Sequence, residues 1–254
     1  MSLERVIYEV RGAVAAIVLN RPEKRNALDP QTILETTASV LHADSEAAVR
    51  VITIAGAGKD FCSGADLASV AAIAERGVTD NIDDARALAQ LFLAIRRASK
   101  PVVALVKGRA LAGGCGLATA CDIVLASETA KFGYPEVNIG FVPAMVMAIL
   151  RRAVSERAAF ELAVGGEPIT ALRALELGLV HHVYRDEAFD EAAGEYVESL
   201  AKKPATAVAL TKRLLYRTDA MPFDAALEAG IDMNAIARMT DDFKQGVAKF
   251  LKKD

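Results

Sequence analysis

The stretch Lys100–Gly140, KPVVALVKGRALAGGCGLATACDIVLASETAKFGYPEVNIG, constrains this chain more than any other. Pro101–Val106 is a β-branched apolar run of strand length, opened by a proline that a strand tolerates at its start. Gly113, Gly114 and Gly116 then fall close together, and Leu117–Cys121 reads as a helix. A strand-to-helix turn without Cβ atoms lets a ligand approach the backbone, and the first helical N–H groups have no partner inside the helix. Such a turn can hold an oxygen carrying negative charge. Close packing of a helix on a sheet accounts for the same glycines, so the motif alone leaves both readings open.

The rest of the chain alternates strands and helices to about residue 185. Val6–Val10 and Val14–Leu19 read as a hairpin across Gly12, and Asn20–Ala27 as a polar, basic loop. Asp29-Pro30 gives a helix N-cap with proline in the first turn, followed by a stripe of Ile33, Thr37, Val40 and Leu41. Val51–Ile54 is a buried strand. Phe61–Leu67 (FCSGADL) is a second small-residue turn leading into a helix, and Gly77–Asp84, without apolar periodicity, reads as a mobile surface loop. Arg86–Ala98 is helical, Ile123–Ala126 a strand, Lys131–Glu136 a loop, and Met145–Arg151 and Glu156–Val164 helices. Thr170 caps a helix closing at Gly178, and Val180–Val183 is the last strand. From Asp186 onward the pattern is helical, with prolines only at junctions. No fixed-length repeat relates the parts.

Composition excludes several classes. The 53% apolar share is enough for a sizeable core in 254 residues. A net charge of −3 with interspersed signs argues against nucleic acid or an anionic membrane as the main partner. Cys62, Cys115 and Cys121 form no CxxC pair, so neither a disulfide framework nor a zinc site is expected, and a reducing cytoplasm is the natural setting. Met1–Glu9 lacks the apolar run of a secretory leader, and Ala110–Ala126, interrupted by Asp122, is too short and polar to span a bilayer.

The candidate acid/base is Glu136. An exposed loop glutamate is the ordinary reading, but Phe132, Tyr134, Val137, Ile139 and Phe141 make its neighbourhood apolar, which would raise its pKa into a useful range. His181-His182 has no ligand-spaced partners, and His42 reads as solvated on a helix face. There is no GxSxG, GxGxxG or P-loop motif, so no serine hydrolase, dinucleotide cofactor or nucleotide site is inferred. Asp122 reads as a structural acid bonding backbone N–H groups, and Cys62 and Cys115 as small buried fillers.

Taken together, these residues resemble the enoyl-CoA hydratase/isomerase (crotonase) family along the whole chain. The motifs are Asn20-Arg21-Pro22 with Asn26-Ala27-Leu28, FCSGADL, Gly108–Asp122 with its AGG turn, Phe132–Glu136 with Gly140, and Ala174–Val180. The resemblance implies an α/β fold: a spiral of repeated ββα units over 1–185, and a helical trimerisation region over 186–254. It implies a homotrimer or homohexamer acting on an acyl-CoA, with the CoA thioester as substrate and no separate cofactor or metal. It assigns the oxyanion hole to the N–H groups of Ala65 and Gly113, and the proton chemistry to Glu136. Acyl-CoA contacts fall on Arg25, Ala27, Ser63, Gly64, Asp66, Leu67, Leu111, Gly114, Gly116, Pro135, Phe250 and Lys253.

One departure matters. Two-glutamate hydratases carry a glutamate where this chain has Gly116, and here only Glu136 is present. At one helical turn from Gly113, a side chain at position 116 is expected to project over the same pocket. The expected reaction is hydration of a 2-enoyl-CoA to a 3-hydroxyacyl-CoA. Δ3,Δ2-enoyl-CoA isomerisation with one glutamate is the alternative, and a non-catalytic acyl-CoA-binding subunit the third reading.

Overall fold

Continuous apolar strands need cover on both faces, and the chain supplies it. The computed structural model describes residues 3–252. In order, the elements are β1 (Val6–Arg11), β2 (Val14–Leu19), α1 (Pro30–Ser45), β3 (Val51–Gly56), α2 (Leu67–Ala74), α3 (Val78–Arg97), β4 (Val102–Val106) and β5 (Arg109–Leu111). Then come α4 (Gly113–Ala120), β6 (Ile123–Ser127), β7 (Lys131–Gly133), α5 (Ala144–Ala153), α6 (Glu156–Gly165), β8 (Ile169–Thr170), α7 (Ala171–Glu176) and β9 (His182–Tyr184). Four helices close the chain: α8 (Phe189–Ala201), α9 (Ala205–Thr218), α10 (Phe223–Met239) and α11 (Asp241–Leu251).

The larger sheet has the order β1-β2-β3-β4-β6-β9, antiparallel only at β1–β2. Alternate side chains divide between its faces. Val51, Val103 and Leu125 pack on Phe189, Ala193 and Val197 of α8, while Ile52, Ile54, Val102, Ala104 and Val124 enter the main core. A smaller sheet has the order β5-β7-β8, with β5 and β7 parallel. Successive units therefore give one strand to each sheet before a helix: β4, β5, α4, then β6, β7, α5. This is the spiral of ββα units.

Local chemistry fixes the element ends. Asp29 Oδ1 accepts from Thr32 N at 2.7 Å at the start of α1, a cap whose loss to alanine costs about 1 kcal/mol. Asp66 accepts from the N–H groups of Ala68 and Ser69 and so starts α2. Asp122 accepts from Val102 N at 2.7 Å, as a structural acid should. It also receives Lys212 Nζ at 2.7 Å and the Tyr216 hydroxyl at 2.6 Å, both from α9. This buried pair ties the closing helices to the turn after α4; removing one member of such a pair costs about 3–5 kcal/mol.

Four local expectations are corrected. Gly77–Asp84 is not a loop: residues from Val78 onward form the first turns of α3, with Asn81 bonded back to Gly77 O. That end of α3 stands away from the core, so helical residues there carry no apolar stripe; only Leu91, Phe92 and Ile95 are buried. The glycine-rich turn is itself helical, since α4 begins at Gly113. Lys131–Glu136 is strand β7 followed by a 3-10 helix, Pro135–Ile139. Leu41 is 57% exposed, and the buried face of α1 runs instead through Thr32, Ile33, Thr36, Val40 and Ala43.

Candidate active site

Three segments run side by side in the same direction. Phe61 N–H donates to Lys107 O at 2.9 Å, Cys62 N–H to Arg109 O at 3.0 Å, and Leu111 N–H to Cys62 O at 2.9 Å. Cys62 thus bridges Ala110 in parallel, and β5 pairs with β7 with Leu111 opposite Gly133. Ala65, Gly113 and Glu136 each lie two or three residues beyond the carboxyl end of one of these segments. Parallel pairing alone gathers them at one end, where open α/β sheets bind their ligands.

The first two residues offer N–H groups. Leu28 N–H donates to Gly64 O at 2.8 Å and Asp66 N–H to Leu28 O at 3.0 Å. In that strand-like pairing the N–H of the residue between, Ala65, faces the opposite side, and Ala65 is exposed. Gly113 is the first residue of α4, so its N–H has no partner within the helix. A Cβ built on Gly113 would stand 4.0 Å from Ala65 N, so glycine keeps the space between the two donors open. Gly64 permits this approach. It has φ +94°, and a Cβ there would meet Ala112 Cβ at 2.6 Å and Leu111 O at 2.9 Å.

The turn into α4 takes its positive φ at an alanine. Ala112, not Gly113, holds the left-handed φ of 49°, a conformation that costs a non-glycine residue about 1–3 kcal/mol. It is pinned by Ala112 N–H on Gly133 O at 2.8 Å and by Gly116 N–H on Ala112 O at 3.0 Å.

Glu136 is 9% exposed, and its Oε2 is buried with no hydrogen-bond partner. Loss of hydration raises its pKa above the ordinary carboxylate value. An orphan carboxylate oxygen is costly to fold around, so its placement calls for a functional account. Beside Gly113 the lining is apolar: Leu28 Cδ1 and Leu88 Cδ2 stand 3.7 and 3.8 Å from its Cβ position.

Gly114 and Gly116, expected among the substrate contacts, are closely packed. A Cβ on Gly114 would meet Cys62 O at 2.3 Å. One on Gly116 would meet Val146 Cγ1 at 2.1 Å and Phe92 Cζ at 3.2 Å. The space over Gly116 is therefore filled by Val146 and Phe92.

Several of the residues expected to contact CoA lie around the Ala65 turn. Arg25 is exposed with φ 50°, and its carbonyl accepts from Ser63 N–H at 3.0 Å. Ala27 is buried and Leu67 is 62% exposed. Leu111 and Pro135 are half-buried at the ends of the paired segments. Phe250 stands apart, 71% exposed on α11, which packs against α9 and α10. Lys253 lies outside the described residues.

Sequence reading missed Arg21. Its guanidinium donates to Ala27 O at 2.8 Å and bridges Asp29 and Asp66, both at 3.1 Å. It clamps the Arg25–Ala27 loop to the turn that presents Ala65. Its only signal was the Asn20-Arg21-Pro22 motif.

Comparison with known proteins agrees with this architecture. The enoyl-CoA hydratase/isomerase family profile matches residues 9–254, and the chain belongs to that family. A Thermus thermophilus relative provisionally named enoyl-CoA hydratase is 39% identical over 243 residues, covering 96% of each chain. The crotonyl-CoA hydratase of Syntrophomonas wolfei is 33% identical over 256 residues, covering 100% of this chain and 97% of that one. The crystal structure of an enoyl-CoA hydratase from Mycobacterium smegmatis superposes with a TM-score of 0.94 at 31% identity, covering 98% and 97% of the two chains. The fold is the crotonase fold.

Proposed function

We propose that the chain hydrates a 2-enoyl-CoA, with Ala65 and Gly113 N–H as the oxyanion hole and Glu136 as the proton carrier. The observation that carries this is the partnerless, buried Oε2 of Glu136 at the same end of the parallel segments as the two free donors. Ionised Glu136 takes a proton from water as the water oxygen bonds to C3. The C2–C3 π electrons move toward the thioester oxygen, where the two N–H groups meet the developing charge; one such donor is worth about 3 kcal/mol of barrier. The protonated Glu136 then returns its proton to C2, giving the 3-hydroxyacyl thioester. No cofactor enters this scheme, and the named hydratases among the relatives support it.

A second reading has its own observation. Val146 and Phe92 fill the space over Gly116, leaving one carboxylate, and one carboxylate suffices to move a proton from C2 to C4 in Δ3,Δ2-isomerisation. A purely acyl-CoA-binding subunit has no use for an orphan carboxylate beside the thioester site. Crotonyl-CoA and 3-hexenoyl-CoA separate the three readings: loss of enoyl-thioester absorbance marks hydration, its gain from the 3-enoyl substrate marks isomerisation, and neither marks a binder.

Exposed Lys24 and Arg25 beside the Ser63 turn are expected to meet the CoA phosphates. Calorimetry with acetoacetyl-CoA should then show binding that weakens as salt screens those charges; no heat at low salt would overturn the assignment. The closing helices expose Leu215, Phe223, Leu227, Ile231, Met239, Phe243 and Phe250. Apolar area on that scale favours a homotrimer or a pair of trimers, and sedimentation as a monomer would refute it. Three free, buried thiols fit a reducing cytoplasm.

A further inference from the structure

Tyr134 is wholly buried, two residues before Glu136, at the entry to the 3-10 helix Pro135–Ile139. Its hydroxyl lies 3.0 Å from Thr119 Oγ1. Thr119 Oγ1 also lies 2.7 Å from Cys115 O, to which it donates, and the phenol bonds the Cys115 thiol as well, so Tyr134 is tied to two residues of one helix. Thr119 belongs to α4, the helix whose first N–H is the Gly113 donor.

We infer that Tyr134 is a positioning residue: through Thr119 it clamps the turn carrying Glu136 onto the helix carrying the oxyanion donor. The inference rests on the proposed function. The backbone bond from Ala112 N–H to Gly133 O joins the two segments on one side of the site, and the Tyr134–Thr119 bond joins them deeper in the core. These two attachments hold the start of the 3-10 helix to α4, while Asn138 Nδ2, donating to Gly166 O at 3.0 Å, holds its other end to the close of α6. Glu136 Oε2 has no hydrogen-bond partner among the described residues, and the carboxylate's one hydrogen bond is to its own backbone N–H, so its position follows that of its turn. Burial also pushes the phenol well above its usual range, so the hydroxyl keeps its proton at every working pH. Burial of the ring by itself would be served equally by phenylalanine; what phenylalanine lacks is the bond.

The test follows from that difference. Tyr134→Phe should keep the folded structure and KM for crotonyl-CoA within about twofold while lowering kcat roughly 10-fold, inside the ~100-fold that a 1 Å misplacement can cause. Thr119→Val removes the same bond from the other side and should match it, with the double variant no slower than either single one. A second readout needs no turnover. Infrared difference spectra against Glu136→Gln isolate the Glu136 carboxyl band, and in Tyr134→Phe that band should titrate at lower pH than in wild type, because a released turn admits water. An unchanged titration, or a kcat within twofold of wild type, would make Tyr134 a core residue only. If the wild-type chain turns over no enoyl-CoA, the functional reading falls, and the titration alone decides whether the clamp exists.

Discussion

Glu136→Gln is expected to retain the fold and the affinity for acetoacetyl-CoA while losing roughly 10²–10⁴-fold in turnover, the usual contribution of a general acid/base. Glutamine keeps the shape of the side chain but cannot carry a proton between water and C2. The pH dependence has a definite sign. Burial raises the folded-state pKa of Glu136, so ionising it costs stability once pH exceeds the ordinary carboxylate pKa, and the cost disappears below it. At neutral pH the glutamine variant should therefore unfold at the same temperature as wild type or higher, and the two should converge as pH falls. For wild type, the acid limb of kcat/KM should lie above the ordinary carboxylate range, since the base must be ionised. A variant with half the wild-type rate would reduce Glu136 to a structural role.

The second large effect is expected at Gly113. Its φ is not left-handed, and a Cβ there would have no neighbour nearer than 3.7 Å, so the backbone accepts a side chain. The same Cβ stands 4.0 Å from Ala65 N, in the space the thioester oxygen must use. Gly113→Val should then lower turnover by about 10²–10³-fold, as loss of an oxyanion donor does. Helix propensity changes stability by less than about 1 kcal/mol there. Rate and unfolding measured on the same sample decide the matter: activity lost only in proportion to folded protein would make Gly113 a packing glycine.

Much of this architecture was legible in the chain. The apolar runs at Val51 and Val102 and the Asp29-Pro30 cap rest on local chemistry, and local chemistry is visible in sequence. The burial of Glu136 was legible too, but only Phe132 and Tyr134 of the apolar residues around it are buried; Val137, Ile139 and Phe141 are exposed. What stayed hidden depends on distant contacts. Lys212 and Tyr216 meet Asp122 from α9, some ninety positions away, and nothing near either end announces it. The ββα repeat was legible only through the family resemblance, because the units that begin at Val51, Val102 and Ile123 are of unequal length and no period exists to detect. The first turns of α3 lacked an apolar stripe because they meet no core. The missing Cβ of Gly113 was legible, whereas the positive φ of the turn falls on Ala112, where an alanine in the sequence gives no sign of it.

The contact between Gly116 and Val146 restricts how such a site can change. Val146 Cγ1 occupies the place of any Cβ at position 116. A larger side chain at position 116 therefore requires Val146 to move or shrink, and shrinking Val146 alone leaves an unfilled hole in the core. The two positions are coupled, so their substitutions are not expected to add. The place a second carboxylate would occupy is thus held by a side chain of another helix, α5, and not by the glycine alone.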